Sequence, residues 1–188
     1  MSFLDRVFRR RARSVREVRG ATRVELDCEV GPSPLAVSPV SGARAALIRW
    51  TLLEQRTFSG GKGGGTDTRY RVLARGLYGE PRLVLVHDGE TIEVPLERAT
   101  LVLVEDPEEG ELLQRMPEAL VPVAREVRAD GPLAYREAHL RSGDRVRLTA
   151  TVERLRAEAG AGYREAGGPG PMLRAIPDER IVVRDRLA

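Results

Sequence analysis

From Arg23 the chain alternates, with Val24, Leu26, Cys28 and Val30 on one side and Arg23, Glu25, Asp27 and Glu29 on the other. A period of two is the mark of a half-buried strand. It puts Cys28 on the apolar side as a packing residue rather than a reactive thiol. The stretch "GPSPLAVSPVSG" breaks the pattern with Pro32, Pro34 and Pro39 and closes at Gly42, and residues 45–55 ("AALIRWTLLEQ") resume it as a second strand that carries Trp50 into the core. Over residues 67–76, Tyr70, Val72 and Ala74 alternate with Arg69, Arg71 and Arg75. Two apolar runs in "RLVLVHDGETIEVPL" hinge on Asp88-Gly89, a two-residue hairpin signal, and place His87 at the turn's edge as a surface residue.

"TLVLVED" predicts a further strand. The acidic run Glu105, Asp106, Glu108, Glu109 and Glu111 opens a stretch from Leu112 to Val127 that Pro117 and Pro122 divide into two short helices. Ser142-Gly143-Asp144 turns into a strand with Val146, Leu148, Ala150 and Val152 facing inward, and "MLRAIPDERIVVRD" supplies a last pair of short strands. About eight short strands joined by turns predict a mainly β fold: a curled antiparallel sheet, barrel or sandwich, OB-like in one version, with a small helical insertion. The expected organisation is a basic amphipathic segment over residues 1–20 and a single β domain over 21–188.

In the segment "FSGGKGGGT", residues 58–66, the chain's one lysine sits among glycines. A phosphate-binding loop needs its lysine followed by a hydroxyl and then a helix. Here Lys62 is followed by Gly63, and a strand pattern follows from Asp67, so the segment reads as a hairpin loop.

A composition of 41% hydrophobic and 31% charged residues fits a globular chain, and the formal charge of +3 is only mildly basic. Aromatic residues, at 4%, are too few for the stacking platforms of single-strand binders. Cys28, His87 and His139 lack the tight spacing of a structural zinc site, and one cysteine excludes an intrachain disulfide. Ser33 is flanked by prolines and forms no nucleophile elbow. Glu137 and Glu165, each in a "YRE" triplet, are expected to pair with the adjacent arginines. No cofactor, metal or catalytic constellation is therefore expected, and neither is a transmembrane helix or a signal peptide.

Two stretches, "SPVSG" at residues 38–42 and "YREAHLRSGD" at 135–144, occur in order with "LVLVHDGETIEVPLERATLVL" between them. Ser38, Pro39, Ser41 and Gly42, then Asp88, Gly89, Val94 and Pro95, then Glu137, Leu140, Gly143 and Asp144 make residues 20–185 resemble the GIDE-type domain of the Mulan E3 ubiquitin ligase family and its prokaryotic relatives. The resemblance implies a bacterial-type interaction or ligand-binding module. The zinc-binding RING that confers ligase activity on the eukaryotic members has no counterpart among these residues, so that activity is not implied. The motif residues are turn formers, and specification of the fold is their first expected role.

The functional expectation is a non-catalytic module for an unknown protein or small ligand, cytoplasmic, with a place at the inner face of the inner membrane as one version of it. Phe3, Leu4, Val7 and Phe8, followed by Arg9, Arg10 and Arg11, form an amphipathic segment with two readings, a solvated tail first and a contact with an anionic membrane surface second. The alternative is an OB-like nucleic-acid binder with Arg69, Arg71, Arg75, Arg145 and Arg147 on phosphates.

Overall fold

A computed structural model describes residues 14–185 apart from 19, 60–65, 105–111, 156–172 and 178. Lys62, Glu165, the acidic run from Glu105 to Glu111, and the N-terminal Phe3, Leu4, Val7, Phe8, Arg9, Arg10 and Arg11 thus lie outside the described residues. Chain contacts divide the span expected to be one domain into two compact units. One comprises residues 1–33, 80–103 and 141–188; the other comprises 34–79 and 104–140.

The first unit is a closed five-stranded barrel. Its strands are β1 (Thr22–Val30), β6 (Arg82–His87), β7 (Glu90–Pro95), β10 (Arg145–Arg154) and β11 (Leu173–Ala175), in the order β1-β6-β7-β11-β10 with β10 pairing back onto β1. Counted within the barrel this is 1-2-3-5-4-1, with the 3–5 pair parallel, which is OB connectivity. Closure leaves no open edge, and strict alternation fills the interior. Val24, Leu26 and Cys28 stand opposite Ala150, Leu148 and Val146 across the β1–β10 seam and Val30 stands opposite Leu85 of β6, while Leu83, Ile92, Val94, Leu173 and Ala175 complete the core. Outside the ring, β12 (Ile181–Asp185) extends β10, and β8 (Ala99–Val102) lies parallel to β12.

The Asp88-Gly89 hairpin forms as expected, with both residues at positive φ (52° and 79°), the backbone a two-residue primed turn requires. His87 departs from expectation. Its side chain is 14% exposed, and Nδ1 lies 2.7 Å from the Asp27 carbonyl oxygen, so it ties the turn to β1 instead of facing solvent. Thr151, which alternates with the inward-facing Ala150 and Val152, is also buried and donates its hydroxyl to Glu179.

The second unit is a three-stranded sheet, β5-β4-β9, of β4 (Leu47–Ser59), β5 (Thr66–Gly79) and β9 (Leu133–Leu140), joined by the small hairpin β2 (Ala36–Val37) and β3 (Arg44–Ala45). The glycine segment falls where a hairpin loop was expected, between Ser59 and Thr66, the last described pair of the β4–β5 ladder. The helical stretch is shorter than the proline spacing suggested. Leu112 bridges to Ala134 of β9, and only Glu118–Leu120 (a 3-10 turn) and α1 (Val121–Val127) coil. Pro117 caps the turn and Pro122 sits in the first turn of α1, where a missing N–H costs nothing. Trp50, Leu52, Leu120 and Tyr135 form this unit's core, with Met116, Val123 and Ala124 packed against it.

Gly76 stands opposite Trp50 across the β4–β5 ladder, and a Cβ there would lie 2.4 Å from the indole ring. Gly76→Ala is therefore expected to lower stability by about 1–3 kcal/mol, as overpacking does. The check is urea unfolding followed by the fluorescence of Trp50, the chain's one tryptophan.

Candidate functional site

The "SPVSG" segment closes the β2–β3 hairpin. Ser38 N–H bonds to Ala43 C=O at 2.9 Å, Gly42 N–H bonds to Ser38 C=O at 3.0 Å, and Gly42 takes a φ of 74° that favours glycine. The Ser38 hydroxyl accepts from the N–H groups of Val40 and Ser41, both at 3.1 Å. With its acceptor side occupied by the turn, Ser38 has its proton to give elsewhere.

That proton goes to Glu137. Strand β9 alternates, so Tyr135, Glu137 and His139 share one face while Arg136 lies on the other. Glu137 is fully buried, and Oε1 accepts from Ser38 Oγ and from the Tyr135 hydroxyl at 2.6 Å. On Oε2, the Ser41 hydroxyl donates at 2.6 Å and His139 Nε2 lies at 3.0 Å. The two motifs thus meet at one carboxylate.

The expected pairing of Glu137 with its neighbouring arginine does not form, because consecutive strand residues point to opposite faces. The Arg136 guanidinium instead lies over the Tyr70 ring, 5.2 Å from its centroid.

Burial alone would raise the Glu137 pKa; the hydrogen bonds from Ser38, Ser41, Tyr135 and His139 outweigh it and hold the carboxyl below its ordinary value. The same contact works in reverse on Tyr135, whose phenol is raised first by burial and then by the carboxylate it serves. Tyr78 stacks on Trp50 at 6.1 Å, and its phenol is raised, chiefly by burial. Chemically the cluster is a rivet. Both serine protons are committed to the carboxylate, so neither serine is poised as a nucleophile for His139.

A second buried carboxylate, Glu54, escaped the sequence reading. It is 1% exposed, and the backbone N–H groups of Asp130 and Gly131 reach Oε1 at 2.8 and 3.1 Å while Arg56 and Arg71 reach Oε2 at 2.8 and 3.0 Å. The Asp130 N–H first, then Arg56, hold its pKa down to about 2. The signal was the hairpin register: counting back from the glycine segment sets Glu54 opposite Arg71.

Of the remaining motif residues, Asp88 and Gly89 make the barrel hairpin already described, Val94 and Pro95 belong to β7, and Gly143 and Asp144 form a further turn of the barrel. Gly143 adopts a φ of 90°, its N–H bonds to Val30 C=O at 2.8 Å, and the Asp144 carboxylate accepts from Arg141 N–H at 2.6 Å. The motif ending in Gly143-Asp144 is therefore split: Glu137 and buried Leu140 belong to the sheet unit, and Gly143 and Asp144 to the barrel. Cys28 is buried, and its thiol is pushed up to about 12, chiefly by desolvation, as befits a packing residue. No group of three His, Cys, Asp or Glu among the described residues could hold a metal ion.

Of the five arginines considered for phosphate, Arg69 pairs with Asp67 at 2.8 Å, Arg71 with Glu54 and Arg147 with Asp27 at 3.0 Å, while Arg75 and Arg145 are exposed. None of the described barrel residues is Phe, Tyr or Trp. No helix among the described residues is long and apolar enough to cross a membrane.

Comparison with known proteins finds no matching family model, no matching curated protein and no matching solved structure.

Replacing Glu137 by Ala strands Ser38 and Tyr135 without their acceptor and is expected to cost about 3–5 kcal/mol, read by urea unfolding. The depressed pKa values of Glu54 and Glu137 also fix a pH dependence. A carboxyl held below its unfolded value contributes stability that is complete above pH of about 4.3 and is lost as pH falls through the folded value, toward 2 for Glu54. Glu54→Gln should flatten the acid limb of the stability curve, and an unchanged limb would refute that role.

Proposed function

We propose that this chain is a non-catalytic interaction module of the GIDE type, in which the barrel serves as scaffold and the sheet unit presents the contact surface. The observation that carries this is the distribution of exposed large apolar side chains. Among the described residues, Leu35, Val37, Phe58, Tyr70, Val72, Leu77, Val104 and Leu112 belong to the sheet unit, and Leu155 alone belongs to the barrel. A concentration of exposed apolar side chains in one unit supplies the kind of surface through which globular proteins bind others. The Glu137 rivet supports the same reading, because it spends the unit's hydroxyls on rigidity instead of chemistry.

The OB connectivity of the barrel favours nucleic-acid binding as a second reading. Against it, three of the five candidate arginines are bound to carboxylates, and the described barrel has no aromatic ring for a base to stack on.

The reading is tested by placing a photocrosslinking residue at Val37 or Tyr70 of the sheet unit, and at Arg82 or Glu97 of the barrel, in the full chain within its native cells. Recurrent adducts from the first pair and none from the second are expected. Adducts from the barrel positions alone, or from none, would overturn it.

The place of action in this proposal is a membrane surface, reached through Phe3, Leu4, Val7 and Phe8 with Arg9, Arg10 and Arg11. Each arginine near an anionic surface contributes about 1 kcal/mol, enough with the apolar side chains for reversible binding. The full chain is expected to co-sediment with anionic vesicles at low salt and to lose this on Phe3→Ala with Phe8→Ala. A chain that stays in the supernatant refutes the membrane contact and leaves the module reading intact.

A further inference from the structure

Strand β5 ends the three-stranded sheet, so among the described residues one long edge of its fourteen residues faces no other strand. β2 and α1 approach β5 without pairing to it. Alternate N–H and C=O groups along such an edge point away from the sheet and can receive another strand. The register defines the side chains a newcomer would meet. Tyr70, Val72, Arg75 and Leu77 stand opposite Gln55, Leu53, Thr51 and Arg49, the odd-numbered face of β4. A bulge where Leu52 and Leu53 face Ala74 and Val72 keeps Val72 and Arg75 on that one face. All four side chains are exposed, Tyr70, Val72 and Leu77 by 41%, 44% and 40%.

Charge selects the occupant. The three strands carry six arginines against three carboxylates, and two of those carboxylates, Glu54 and Glu137, are buried and saturated. A second copy of this chain fits poorly, since antiparallel self-pairing along β5 would set Arg69, Arg71 and Arg75 against one another. A nucleic-acid strand fits less well than a peptide: Arg69 and Arg71 already hold carboxylates, and Val72 and Leu77 offer phosphate nothing. We propose that the β5 edge receives an extended acidic segment of a partner protein as a fourth strand, its apolar side chains on Tyr70, Val72 and Leu77 and a carboxylate against Arg75. This rests on the interaction-module reading and names the partner's chemistry.

The test uses the full chain and a short synthetic peptide in which glutamate alternates with valine and threonine, read by fluorescence anisotropy. The peptide is expected to bind, and its counterpart with lysine in place of glutamate is not. Two further peptides, N-methylated on the odd or on the even amides, separate strand addition from surface adhesion. One should bind as the parent does, while the other weakens by about tenfold or more, because only one set of amides faces β5. Equal binding by both overturns the proposal. Arg75→Glu should weaken the acidic peptide and admit the lysine peptide, a gain that a misfolded variant could not show. Salt-sensitive binding of single-stranded DNA that displaces the acidic peptide, or no binding of the peptide at all, also overturns it. Photocrosslinks from Val37 alongside a silent Tyr70 would leave the module reading standing while this edge falls.

Discussion

The sheet unit depends on how it accommodates one negative charge. A carboxylate removed from water is unaffordable unless its lone pairs are occupied, and Glu137 has no exposed surface at all. Two hydroxyl protons come from the "SPVSG" turn, and a phenol and an imidazole come from its own strand. Two of these donors are in turn held, Ser38 by two backbone N–H groups and Tyr135 by the core beside Trp50 and Leu52. The turn must therefore stand against β9, which fixes where the β2–β3 hairpin can lie. The motif residues are explained by this constraint before any ligand is invoked.

Glu54 applies the same logic further along the sheet with different donors. It sits on the same face of β4 as Trp50 and Leu52, beyond the apolar core, and it gathers two arginines and the backbone following α1. Its lowered pKa is the electrostatic record of that capture. The two carboxylates anchor opposite loops to one sheet, and neither is left as a free base. Both buried carboxylates are thus engaged in holding the unit's geometry. The barrel differs in kind, being closed by hydrogen bonding and filled by aliphatic side chains with no described aromatic.

Most strands were legible in the sequence. Those of the barrel bury mainly one face, so Val24 to Val30 and Val146 to Ala150 alternate cleanly, and Asp88-Gly89 announced its turn because few residue pairs tolerate positive φ twice. Elsewhere the signal was weaker. The β2–β3 pair is only two residues long on each side and hides among prolines, and Leu112 and Leu113 pair with β9 although their spacing suited a helix. Strand pairing across distant segments decides such short stretches, and no local pattern reports it.

What the sequence by itself determined is the β class, the turn at each Gly and Asp that needs one, and the packing role of Cys28, since each follows from local sterics or from a period of two. Only the tertiary structure decided that residues 21–188 divide into a closed barrel and a separate sheet, that Glu137 meets Ser38 and Ser41 instead of Arg136, and that β5 ends its sheet with an edge open among the described residues. The reason is physical. Local sequence sets which face a side chain takes, whereas the partner of a buried charge and the neighbour of a strand depend on segments about a hundred residues apart being brought together by the burial of apolar surface.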